Sequence, residues 1–235
     1  TLLFLPLIGF LATFLTWLVK EKKAVEKPRL TYLNVRMLDT PSIGIQQSLK
    51  EVTRMGQTVI RMMNQLKTML SNDEPDSQRA EDIFQGENDL DVIQMEIVQF
   101  LGDILSGNIS HEVVQESRQQ IRMADEYESI SDYITTILKL RLKLRDNQQP
   151  ISPEGIAELN HLHDKVAEYI LLVHSTLEQD KASPEFFNEA QIKGTAVTKF
   201  MKECRARHLV RVGDGQVSPL KSLIYTDMLS SYRRI

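Results

Sequence analysis

Two pairs of carboxylates stand one helical turn apart: Glu87 with Asp91, and Glu128 with Asp132. On a helix, i and i+4 share one face, with the side chains about 6 Å apart. If the two helices run antiparallel, the pairs can face each other. Four converging carboxylates repel unless a cation bridges them, and oxygen donors suit Mg²⁺, Ca²⁺, Mn²⁺ or iron. The surrounding stretch strengthens the case for a cation or a basic partner. Residues 80–117 hold nine acids and no Lys or Arg. Wheel positions temper it. Leu90, Ile93, Ile97, Phe100 and Ile104 make the apolar arc of one segment, and Tyr127, Ile130, Ile134 and Ile137 that of the other. All four acids fall outside these arcs. A metal there would occupy a shallow surface site, and a solvated acidic face is the simpler reading of the spacing alone.

Other chemistry is sparse. His161 and His163 are two residues apart, so a helix points them nearly opposite ways. His163 lies on an apolar seam and His174 in an apolar run, which favours packing over ligation. The single cysteine, Cys204, follows Val197 and Phe200 on an apolar stripe and reads as a small buried hydrophobe. One cysteine excludes an intramolecular disulfide framework and a Cys-based zinc site. There is no Walker A loop, no dinucleotide fingerprint and no Gly-x-Ser-x-Gly elbow. A di-iron carboxylate site needs two Glu-x-x-His motifs on facing helices, and the chain holds one, Glu158-Leu159-Asn160-His161. The chain is therefore read as a non-enzyme. Lys199, Lys202, Arg205, Arg207 and Arg211 cluster towards the end of one helical segment. They suit the negative end of its dipole, or an anionic headgroup, acidic surface or phosphate. A net charge of −4 argues against bulk nucleic-acid binding.

The elements that position these residues read as helices. The chain is 42% hydrophobic but only 6% aromatic, which disfavours a β-sandwich. Ile45, Leu49, Val52, Gly56, Val59, Met63, Leu66 and Leu70 step by four and three, and so do Ile156, Leu159, His163, Val166, Ile170, Val173 and Leu177. Ser-Pro-Glu at 152–154 and 183–185, Thr-Pro at 40–41 and Ser-Pro at 218–219 are helix starts. Six helices are expected, at about 41–71, 79–106, 110–146, 152–181, 183–209 and 218–235. They fall into two consecutive sets of three, residues 41–150 and 151–235, the second cut short.

The first residues differ. Leu2 to Val19 are eighteen residues without a charge, about 27 Å as a helix and enough to cross a bilayer. Trp17 suits the interface, and Lys20, Lys22, Lys23, Lys27 and Arg29 place the following side in the cytoplasm. Residues 1–20 are therefore expected to form a transmembrane helix and 21–40 a basic linker. Thr1 opens directly in the apolar run, and Ile235 ends within a helical segment. The chain reads as the C-terminal part of a larger membrane protein.

Asp125-Glu126-Tyr127-Glu128-Ser129-Ile130-Ser131-Asp132 resembles the signature helix of PhoU-type phosphate-regulatory proteins, an acidic pair followed by Glu-Arg-Ile-Gly-Asp. Ser129 stands for the usual Arg and Ser131 for the usual Gly. In the second half, Glu189-Ala190-Gln191-Ile192-Lys193 carries Lys where the family has Asp. The apolar run, the linker from Pro28 to Pro41 and this segment together resemble the C-terminal part of bacterial sodium/phosphate cotransporters. The resemblance implies an all-α chain: one transmembrane helix, then a PhoU-like six-helix domain of two tandem three-helix bundles. It also implies divalent metal or iron at Glu87, Asp91, Glu128 and Asp132. It implies a regulatory role in sodium-coupled phosphate transport at the inner membrane, with the helical domain in the cytoplasm. The implied partners are the transport domain of the same chain, sodium, phosphate and the membrane, with a second copy of the chain also a candidate. The rival expectation is a membrane-anchored helical signalling module that docks basic partners through residues 80–117.

Overall fold

Serine side chains start four of the helices. In the computed structural model, which describes residues 40–72, 76–179 and 182–235, the hydroxyls of Ser110, Ser152, Ser183 and Ser218 accept the backbone N–H three residues on, at 3.2–3.4 Å. Each satisfies a donor that the first helical turn leaves free. Proline follows at the first position in three of these helices. The six helices are α1 (Pro41–Ser71), α2 (Ser77–Leu105), α3 (His111–Asp146), α4 (Pro153–Gln179), α5 (Pro184–Gly213) and α6 (Pro219–Arg234). No strand occurs among the described residues. The fold there is all-α. The expected transmembrane helix at 1–20 and nearly all of the linker lie outside the described residues. Among the described residues no helix is long and apolar enough to cross a membrane.

Two boundaries differ from the sequence reading. The second helix begins at Ser77, because Asp76 caps it by accepting the Arg79 backbone N–H at 2.9 Å. The fifth runs on to Gly213 and stops where Gly215 takes a positive φ of 72°. There the Gln216 N–H closes on the Arg211 carbonyl at 3.1 Å, a left-handed C-terminal cap. One seam also shifts. Val173 is 37% exposed, and His174, at 3%, faces inward in its place.

α1 is the hub of the packing. Val52, Met55, Val59, Met62, Met63, Leu66, Met69 and Leu70 are buried around its circumference, against α2, α3 and α4. Burying each such side chain contributes about 1.5–3 kcal/mol before entropy is counted. α1, α2 and α3 pack on one another, as do α4, α5 and α6. Contacts of α1 with α4 and of α3 with α6 join the two sets, and one apolar core runs through both.

Candidate functional site

α2 and α3 run antiparallel, and the acidic pairs face each other across their seam. The register is legible in side-chain contacts. Gln94 donates to Asp125 at 2.6 Å, and towards the other end Lys139 lies over the Phe84 ring at 5.8 Å. Between these, Glu87 lies within hydrogen-bonding reach of Asp132, and Glu128 feels the charge of Asp91. Glu87 and Glu128 are half-buried, and Asp91 and Asp132 are exposed. The apolar arcs of the two helices, Leu90, Ile93 and Ile97 on one and Tyr127, Ile134 and Ile137 on the other, point into the core. They hold the seam closed against the repulsion of its acids.

That repulsion has a direction in the ionisation equilibria. Burial, then the neighbouring Asp132 and Asp91 charges, push the Glu87 carboxyl above its ordinary value, with Lys139 pulling it back. Burial, then Asp132, push Glu128 up as well, although a hydrogen bond from Ser129 opposes this. The donor chemistry suits a hard cation in type. In arrangement the set falls short: among the described residues no three of His, Cys, Asp and Glu group closely enough to hold a metal ion.

The second half has no acidic counterpart at Lys193. Its ammonium pairs with Glu168 at 3.5 Å and Glu189 at 4.0 Å.

A different carboxylate organises that half, one that sequence reasoning missed. Glu158 is 9% exposed. It accepts Arg207 Nε at 2.7 Å, Arg211 Nη1 at 3.1 Å and Nη2 at 2.7 Å, and the Tyr225 hydroxyl at 2.5 Å. The node therefore ties α4, α5 and α6 together. Burial alone would raise this carboxyl, but the bonds from Arg211, Tyr225 and Arg207 outweigh it and hold it at about 2. A signal was present in the sequence. Glu158 stands beside the seam position Leu159, and Arg207 and Arg211 are one turn apart, the spacing that lets two guanidiniums reach one carboxylate. Two of the five basic residues in the α5 cluster are thus structural.

Cys204 is buried and free, and burial first, then Glu158, push its thiol up to about 11. That makes it inert as a nucleophile. Two histidines serve as polar rivets between helices. His163 Nδ1 lies 2.8 Å from the Tyr232 hydroxyl, and burial holds the ring neutral, with a pKa of about 4. His174 Nδ1 lies 3.2 Å from the Tyr127 hydroxyl.

Helix, seam and register together describe a helical bundle with an acidic surface seam, and the comparisons with known proteins fall on the same helices. Residues 52–140 match the family model described as PhoU domain. That segment runs from α1 through α3 and includes all four seam acids. The chain is also 25% identical over 174 residues to "Putative inorganic phosphate export protein YjbB" of Salmonella typhimurium (strain LT2). The similarity covers 72% of this chain and 31% of that protein, so the chain spans about a third of its relative's length. No solved structure matches the chain.

Proposed function

We propose that this chain is the regulatory helical part of a phosphate transporter and acts without catalysing a reaction. The observation that carries the reading is the coincidence of the PhoU match, over 52–140, with the three helices that form the acidic seam. The likeness to a protein named for phosphate export supports phosphate as the solute. Our reading places a transport domain in the same longer protein, couples it to sodium, and holds it in the inner membrane with α1–α6 in the cytoplasm. The uncharged run at 2–19 and the cations that follow it support that placement.

The regulatory step is a population shift. Apolar packing closes α2 on α3 while their acids push apart, so the seam is poised between arrangements of similar free energy. A ligand that binds one arrangement better moves the equilibrium by its differential affinity. The proposal extends to a divalent metal ion or iron held at Glu87, Asp91, Glu128 and Asp132. Elemental analysis of the purified full chain tests that part separately. Metal retained by the wild type and lost from the Glu128→Asn/Asp132→Asn double variant supports it. Equal content removes the metal and leaves the transport reading standing.

Transport is tested with the protein encoded by the whole reading frame, reconstituted in proteoliposomes. Labelled phosphate flux is measured with and without a sodium gradient, for wild type and for Asp91→Asn/Glu128→Gln. Phosphate flux that the seam variant changes is the expected result. Flux indifferent to sodium removes the coupling only. No phosphate flux in either direction overturns the reading, and flux unaffected by the seam variant overturns the regulatory role.

A further inference from the structure

α5 contains a second set of polar residues that the Glu158 node does not use. Thr195, Thr198, Lys199 and Lys202 recur at intervals of three and four, so they share one stripe of the helix. With Tyr169 of α4 and Gly194 they line an open groove of about 480 Å³. Gly194 shapes it. A Cβ there would stand 3.8 Å from the Tyr169 ring and 4.0 Å from its hydroxyl, so the absent side chain leaves the tyrosine as one wall.

The donors of this groove have no protein partners among the described residues. Thr53, Thr58, Thr68 and Thr176 return their hydroxyls to carbonyls of their own helix. Thr195, Thr198 and Tyr169 make no such bond, and Lys199 and Lys202 form no ion pair. Glu168 and Glu189, the nearby acids of α4 and α5, are engaged by Lys193. Glu203, one turn from Lys199, is the acid that remains. Arg205 extends the positive stripe, and Lys165 sits beyond it over Phe200 at 5.6 Å. Three hydroxyls and two ammonium groups without a partner among the described residues thus line one open groove.

We propose that this groove binds a phosphate group, free or carried by a lipid headgroup, between the ammonium groups of Lys199 and Lys202 and the hydroxyls of Thr195, Thr198 and Tyr169. The match is one of number and shape. A phosphate monoester carries nearly two charges near pH 7 and offers three strong acceptor oxygens. It can therefore use two cations and several hydroxyls at once, whereas a planar carboxylate offers two oxygens. Lysine suits the task as a flexible point charge. The groove is open to solvent, so screening by salt weakens the site and binding falls as ionic strength rises. The inference stands on the groove alone, and its failure leaves the transport reading untouched.

Lysine acetylation rates of the full chain in neutral detergent, read by mass spectrometry, test it. Lys143 on α3, exposed and remote in sequence, is the internal reference. Inorganic phosphate at constant ionic strength, against chloride, is one arm. Phosphatidic acid vesicles, whose headgroup is a phosphate monoester, against phosphatidylcholine vesicles are the other. The expected result is severalfold slower acetylation of Lys199 and Lys202 with Lys143 unchanged. Protection by inorganic phosphate identifies the free ion as a source, and protection by phosphatidic acid alone identifies the headgroup. Gly194→Leu, which fills the groove, and Thr195→Val/Thr198→Val, which removes two donors, both keep the lysines and should abolish protection. No protection in either arm, equal slowing at Lys143, or protection that persists in both variants overturns the proposal.

Discussion

A carboxylate taken out of water survives ionised only with partners, and Glu158 has Arg207, Arg211 and Tyr225 within hydrogen-bonding distance. Removing its charge strands two guanidiniums, one of them only 17% exposed. Glu158→Gln is expected to cost about 3–5 kcal/mol, as for other broken buried pairs, read by urea denaturation. The pH dependence has a definite sign. The folded carboxyl sits near 2 against an ordinary 4.5, so its stabilisation is complete above 4.5 and is lost as pH falls towards 2. The Gln variant should lack that acid loss. Glu87 and Glu128 have the opposite sign. Their folded carboxyls are raised, so their contribution is complete below the ordinary value and is lost as pH rises past the folded one. Glu87→Gln and Glu128→Gln should each stabilise the protein at pH 7 by about 0.5 kcal/mol or less, because solvent screens these surface pairs. A thermal-shift series from pH 4 to 8 should show each gain fading in acid.

Among the helices, α5 is the least embedded. Met201, Cys204 and His208 are its buried residues, all in its C-terminal half, while Phe187 and Ile192 near its start are about 60% exposed. Local stability follows buried apolar contact. Amides of 187–198 should therefore exchange with deuterium faster than those of 201–208, although both lie in one continuous helix. Equal protection along α5 would refute this account. The end of α3 tells a related story about local geometry. Gln148 closes that helix at φ 51°, a left-handed conformation that strains a side chain with a Cβ. Gln148→Gly is expected to raise stability by about 0.5–1 kcal/mol in the same denaturation assay.

Across the whole molecule, the two sets of three helices meet through α1 on α4 and α3 on α6. Gly56 of α1 is the close approach. A Cβ there would collide with the His174 ring and come within 2.7 Å of the Tyr127 hydroxyl. Gly56→Ala must push the ring aside and break the Tyr127–His174 bond, at a cost of about 1–3 kcal/mol. Because one core spans both sets, the loss should lower a single calorimetric transition. A variant that melts in two steps would show that the sets are energetically separate.

What could be read from residue order alone was whatever depends on near neighbours. Helix starts at Ser152-Pro153, Ser183-Pro184 and Ser218-Pro219 are local chemistry, and so are the three-and-four steps of Val52, Val59, Met63 and Leu66. The i and i+4 spacing of Glu87 with Asp91, and of Glu128 with Asp132, was likewise on the page. Spacing places two acids on one face but says nothing of which helix lies opposite. Only the packed chain set α2 against α3 in the register that brings Glu87 to Asp132. Only it turned His174 inward in place of Val173 and joined Glu158 to arginines some fifty residues away. Those outcomes depend on which apolar faces fit together, a competition among distant surfaces that no local pattern encodes.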